Sequence, residues 1–186
     1  GETPLPRVTS RHDSRNAEVM ASIKDSYVAF ALSETLYRKL VVLGCPLDDS
    51  GERGGLGSPG VARNRKPNGQ GRLLPMHFAV DLSSLGSVAG HTKGRSEQHF
   101  QFQRFSHVCL WLLDNIGGRA AQLAASVDLE SSTPMMIAKQ LLMAAGEAGC
   151  AEETLSEVTP TNLIAGFGER VCAFLLALVD SCTLAI

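Results

Sequence analysis

Aromatic residues are scarce: Phe, Trp and Tyr make up 5% of the 186 residues, with one Trp and two Tyr. Leu, Val and Ala must fill most of any core, and a hydrophobic content of 44% is enough for one. A disulfide framework is also missing. The five cysteines, Cys45, Cys109, Cys150, Cys172 and Cys182, are odd in number and irregular in spacing. Cys109 and Cys172 sit inside apolar helical runs, where a thiol behaves as a small hydrophobe, so a reducing compartment is expected. The longest apolar run, around Ala173–Val179, falls far short of the ~20 residues of a membrane span. Residues 1–16 lack the apolar stretch of a signal peptide. Nor is the chain strongly basic. A formal charge of -2 argues against general nucleic-acid binding. The charge is uneven, however: residues 1–100 hold 13 Lys and Arg against 10 Asp and Glu, and residues 101–186 hold 4 against 9.

The length suits one domain with tails, and a helical pattern that runs to the last residues suggests a domain cut from a longer chain. Residues 1–16, polar and basic with Pro4 and Pro6, read as a disordered tail. The domain then occupies 17–186. A first helix is expected from Ala17, capped by Asn16 and ended by Gly44 and Pro46. It carries two stripes: Ile23, Tyr27 and Phe30, and Leu32, Leu36, Leu40 and Leu43. Residues 48–72 are Gly-rich, with almost no large hydrophobes, and predict a disordered insertion. A short extended piece follows at 73–80 and a loop at 81–95. A helix from Ser96 puts Phe102, Phe105, Val108, Cys109 and Leu112 on one face, beside Trp111, and Gly117-Gly118 stops it. Thr133 and Pro134 open a helix with Met136, Ile137, Leu141 and Met143 facing inward, ended by Gly146 or Gly149. Thr159 and Pro160 open a one-turn helix that Gly166 closes. A last helix runs from Gly168 to the end, apolar round most of its circumference and expected to be buried on several sides. The predicted class is all-α.

Gly166-Phe167-Gly168-Glu169, at the entry to the last helix, is the strongest candidate for chemistry. A phosphate cradle needs a preceding strand and three glycines, or a terminal Lys and Ser/Thr. None is present, and Glu169 would repel phosphate. A packing corner explains each residue instead. Gly166 supplies a left-handed residue, Phe167 turns into the core, Gly168 permits close approach, and Glu169 favours the helix N-terminus. His107 and Cys109 point ~200° apart on a helix and have no CxxC partner, so no metal or other cofactor is expected. His77, His91 and His99 have no carboxylate paired with them in sequence. Cys172 lacks a neighbouring base, and its apolar setting would raise its pKa. No catalytic set emerges, and a non-enzyme is expected. Two basic clusters, Arg63, Arg65 and Lys66 with Lys93 and Arg95, offer contacts for an acidic partner such as a tubulin tail, and within the first helix Lys24, Arg38 and Lys39 add positive charge.

The stretch Pro160–Asp180 resembles the signature of the intraflagellar transport protein 57 (Hippi) family. Pro160, Leu163, Gly166, Phe167, Gly168, Glu169, Val171, Cys172, Leu175 and Leu178 match in register. The Trp helix is similar through Gln101, Phe102, Phe105, Trp111, Leu112 and Gly117. His77–Ala79 resembles the family's short aromatic-Phe-Ala element, and Tyr27, Phe30, Leu36, Lys39, Leu40 and Leu43 its first helix. The insertions at 48–72 and 82–95 are longer than the family's pattern. The resemblance implies a divergent calponin-homology domain of a B-type intraflagellar transport subunit, a docking module in cilium or flagellum assembly. It implies localisation to cilium, basal body and cytoplasm. The partners implied are intraflagellar transport protein 172 and, through a coiled coil, clusterin-associated protein 1. An alternative implication is direct tubulin binding, as in related calponin-homology domains.

Overall fold

Apolar residues that recur every three or four positions become helices in the computed structural model, which describes residues 11–46, 75–81 and 94–185. Among these residues there are eight helices and no strand, so the architecture is all-α. They are α1 (Arg11–Leu43), α2 (Met76–Ala79), α3 (Gly94–Ile116), α4 (Gly118–Ala125), α5 (Pro134–Glu147), α6 (Glu152–Glu157), α7 (Pro160–Ala165) and α8 (Glu169–Ala185). None of the described helices is long and apolar enough to cross a membrane.

The two stripes of α1 have different fates. Leu36 and Leu40 are fully buried, and Leu32 and Leu43 pack against the core. Tyr27 and Phe30 are exposed instead, because a helix lying against one side of a core has room for only one apolar face. The helix also starts at Arg11, not after Asn16, so it takes up residues 11–16 of the segment expected to be a tail. Gly44, at φ +77°, ends it in the left-handed conformation.

Two further expectations change. The piece at 73–80, expected to be extended, contains the single-turn helix α2, whose Phe78 and Ala79 are buried. Met136 and Met143 face solvent, while Ile137, Ala138, Leu141, Ala144 and Ala145 form the buried face of α5. The run of apolar residues on that helix is wider than the surface it covers. The short helices α4 and α6 were not legible at all. α4 fully buries only Ala120 and Ala124 and α6 no residue, with Leu123 and Leu155 partly buried against the core, so both are too short to show a sustained period. The insertion at 48–72 lies outside the described residues, as does 82–93 of the second loop, while Gly94 and Arg95 open α3.

The core gathers on α8, which packs against α1, α2, α3, α6 and α7. Val171, Cys172, Phe174, Leu175, Leu178, Val179 and Cys182 are buried on it, each side chain contributing about 1.5–3 kcal/mol of transfer free energy before entropy is counted. Glu169, Arg170, Asp180, Thr183 and Leu184 leave it an exposed edge. Cys172 meets α1 at Ala29 and Asp180 meets it at Lys39, so the two helices run in the same direction. α3 faces them with Phe105, whose ring lies 6.1 Å from that of Phe174. Trp111 packs partly buried against this cluster.

Candidate functional site

Residues far apart in sequence meet where α7 turns into α8. The turn is prepared by Thr159. Its Oγ1 accepts from the Asn162 backbone N–H at 3.3 Å, and the Asn162 Oδ1 accepts from the Thr159 N–H at 3.0 Å. This reciprocal cap satisfies donors that a helix start leaves orphaned. Pro160 occupies the first turn, where its missing N–H costs nothing. Gly166 closes α7 at φ +72°. Gly168 follows at φ +102°, and its N–H donates to the Phe78 carbonyl at 2.8 Å. Glu169 stands in the first turn of α8.

The same Phe78 carbonyl accepts from the Cys172 thiol at 3.3 Å. From the other side, the Gln101 Nε2 donates to the carbonyls of His77 at 3.1 Å and Val80 at 2.9 Å. Gln101 is 2% exposed. The Arg104 guanidinium lies 3.3 Å from the His77 ring. A four-residue helix has too few internal bonds to hold itself, and α2 is fixed by side chains and backbone of α3 and α8. The corner is therefore a junction that clamps α2 between its neighbours.

The close approach at this corner belongs to Gly166, not to Gly168. A Cβ on Gly166 would lie 2.8 Å from the Gln101 carbonyl carbon and 2.9 Å from the Phe102 nitrogen. A Cβ on Gly168 would meet nothing within 4 Å, so that glycine is required only by its backbone angle. Phe167 is half-buried rather than wholly turned into the core. The residue that sequence reasoning undervalued is Gln101. Its signal was a polar amide directly beside the buried Phe102 and Phe105 face.

The thiol at the corner is buried among apolar side chains. Burial, with a smaller push from the Glu169 charge, raises the Cys172 thiol to about 12. Burial, then proximity to Cys182, does the same to Cys45, and burial raises Cys109, Cys150 and Cys182 as well. All five are free thiols held protonated and away from solvent. His107 is exposed while Cys109 is buried, on opposite sides of α3 as their spacing predicts. Among the described residues no group of three or more His, Cys, Asp or Glu is placed to hold a metal. Arg63, Arg65, Lys66 and Lys93 lie outside the described residues, and Arg95 stands in the first turn of α3. A groove of about 320 Å³ between α3 and the turn before α5 is lined by His99, Phe102, Gln103, Glu130, Pro134 and Ile137 among others. Of the signature residues only Phe102 reaches it.

The chain matches no family model, no curated protein and no solved structure.

Proposed function

We propose that this chain is a protein-docking domain of the calponin-homology type, with its C-terminal helix as the buried centre, and that it serves a B-type intraflagellar transport complex. The observation that carries the reading is the convergence at the α2 corner. His77–Ala79, Gln101, Gly166–Gly168 and Cys172, drawn from three separate segments of the resemblance, interlock through hydrogen bonds and close packing. Residues that build a shared corner are a reason to expect a shared fold, and they leave the outer helix faces for partners. A docking role is also favoured by the state of the corner's cysteine, a buried, protonated thiol donating to a carbonyl.

The partner on this reading is intraflagellar transport protein 172, with clusterin-associated protein 1 joined through a coiled coil. The test pairs two assays on the purified domain: a pull-down of purified intraflagellar transport protein 172, and cosedimentation with microtubules at low and moderate salt. Retention of the transport subunit, with any microtubule pellet erased by salt, is expected. A salt-resistant microtubule pellet without subunit binding would replace docking by direct tubulin binding.

A further inference from the structure

Thr3, Ser58, Thr133 and Thr159 each stand directly before a proline. A serine or threonine followed by proline is the minimal substrate of proline-directed protein kinases, which take the acceptor in an extended backbone. Thr133 and Thr159 lie among the described residues, and both are exposed. Both are extended as well, at φ -70°, ψ 150° and φ -97°, ψ 156°, because a following proline disfavours the helical region. Their surroundings differ. The Thr159 hydroxyl donates to the Asn162 Oδ1 at 2.7 Å and accepts from the Asn162 N–H at 3.3 Å. Val158 before it and Leu163 after it are buried. The Thr133 hydroxyl only accepts, from the Met136 N–H at 3.4 Å, and among the described residues its proton has no acceptor. No residue from Ala125 to Met136 is buried, and the first buried side chain of α5 is Ile137.

A kinase cleft takes several residues on each side of the acceptor, so a folded site reacts only in the molecules whose flanks are open. Around Thr133 that opening frees the first turn of α5 and exposes no buried side chain. Around Thr159 it pulls Val158 and Leu163 out of the core and breaks the reciprocal cap. We propose that Thr133 is a phosphorylation site of the folded domain, modified by a proline-directed kinase with a nucleoside triphosphate, and that the fold shields Thr159. In this step the Thr133 Oγ1 attacks the γ-phosphorus. The new O–P bond replaces the bond to the β-phosphate, the nucleoside diphosphate leaves, and the hydroxyl proton passes to the kinase's catalytic carboxylate. The phosphoryl group then stands at the N-terminus of α5, where negative charge is favoured. Asp128 and Glu130 are exposed, so solvent screens their repulsion, and the fold stays in place. The proposal is independent of the docking reading.

The test uses the intact chain carrying Thr3→Ala and Ser58→Ala, so that only Thr133 and Thr159 precede proline as acceptors. The chain is incubated with a purified mitogen-activated protein kinase and a magnesium nucleoside triphosphate, and tandem mass spectrometry assigns the phosphate. Synthetic peptides of residues 127–139 and 153–165 supply the unfolded reference for each site. The native rate divided by the peptide rate should be at least about tenfold higher for Thr133 than for Thr159. Pro134→Ala keeps the hydroxyl and should slow modification of Thr133 at least about tenfold with circular dichroism unchanged. Thr133→Ser should still be modified at that position. Equal ratios at the two sites, or no phosphate on Thr133 in the native chain, would overturn the proposal. So would a Pro134→Ala chain modified as fast as its parent, which would remove the proline from recognition.

Discussion

Replacing Gly166 by alanine should damage the fold more than replacing Gly168, although both glycines have positive φ and stand two residues apart. At Gly166 two costs add. A Cβ residue held at φ +72° pays about 1–2 kcal/mol for the left-handed conformation. The Cβ would also lie 2.8 Å from the Gln101 carbonyl carbon and 2.9 Å from the Phe102 nitrogen. These are backbone atoms inside α3, which cannot turn aside as a side chain can, so the helix must move at a cost of about 1–3 kcal/mol. The total is about 2–5 kcal/mol, and for a domain of this size roughly a 10 °C fall in Tm. Gly168→Ala meets nothing within 4 Å and pays only for its φ of +102°, about 1–3 kcal/mol. Urea unfolding of both variants, read by Trp111 fluorescence and circular dichroism, measures the difference. A Gly166→Ala variant within about 0.5 kcal/mol of wild type, or one more stable than Gly168→Ala, would refute the packing account of the corner.

Gln101→Leu keeps the bulk but removes the donor to the His77 and Val80 carbonyls; a loss of about 1–3 kcal/mol in chemical denaturation is expected, and a neutral result would mean that α2 is held by packing alone. Thr159→Ala removes the cap of α7 and should cost about 0.5–2 kcal/mol, measured by the same unfolding curves. Cys172 has a native pKa raised to about 12 against ~8.5 for a free thiol. The native state thus keeps a proton that the unfolded state releases, and stability is full below the unfolded value and falls as pH rises toward 12. The slope is up to about 1.4 kcal/mol per pH unit for this thiol; Cys172→Ala should flatten it, and an unchanged alkaline slope would contradict the buried, protonated assignment. In native protein at neutral pH, a thiol reagent should react with the five cysteines only after unfolding, since all five are buried.

The helices whose apolar faces are continuous were legible from sequence alone. Leu36 and Leu40 on α1, Phe102 to Leu112 on α3 and Val171 to Cys182 on α8 repeat at helical spacing and are buried as that spacing predicts. Caps were legible for the same local reason: Thr133 and Thr159 announce α5 and α7 through the side-chain oxygen and the proline that follows. What could not be read was which of two stripes on one helix meets the core. Tyr27 and Phe30 obey the period as well as Leu36 does, and only the position of α8 decides between them. Likewise, Gly166 and Gly168 look interchangeable in the sequence. Their roles separate only when Gln101 and Phe102 of α3 lie against one of them. α2 escaped because one turn has no period to detect.

The central proposal, a protein-docking role with a packing corner in place of a phosphate cradle, is tested most directly by isothermal titration of purified intraflagellar transport protein 172 into the native domain, with nucleoside triphosphate titrated in parallel. A saturable one-to-one heat for the protein that persists at moderate salt, with none for the nucleotide, is the predicted result. Saturable nucleotide binding that Gly168→Ala abolishes while leaving the fold intact would contradict it.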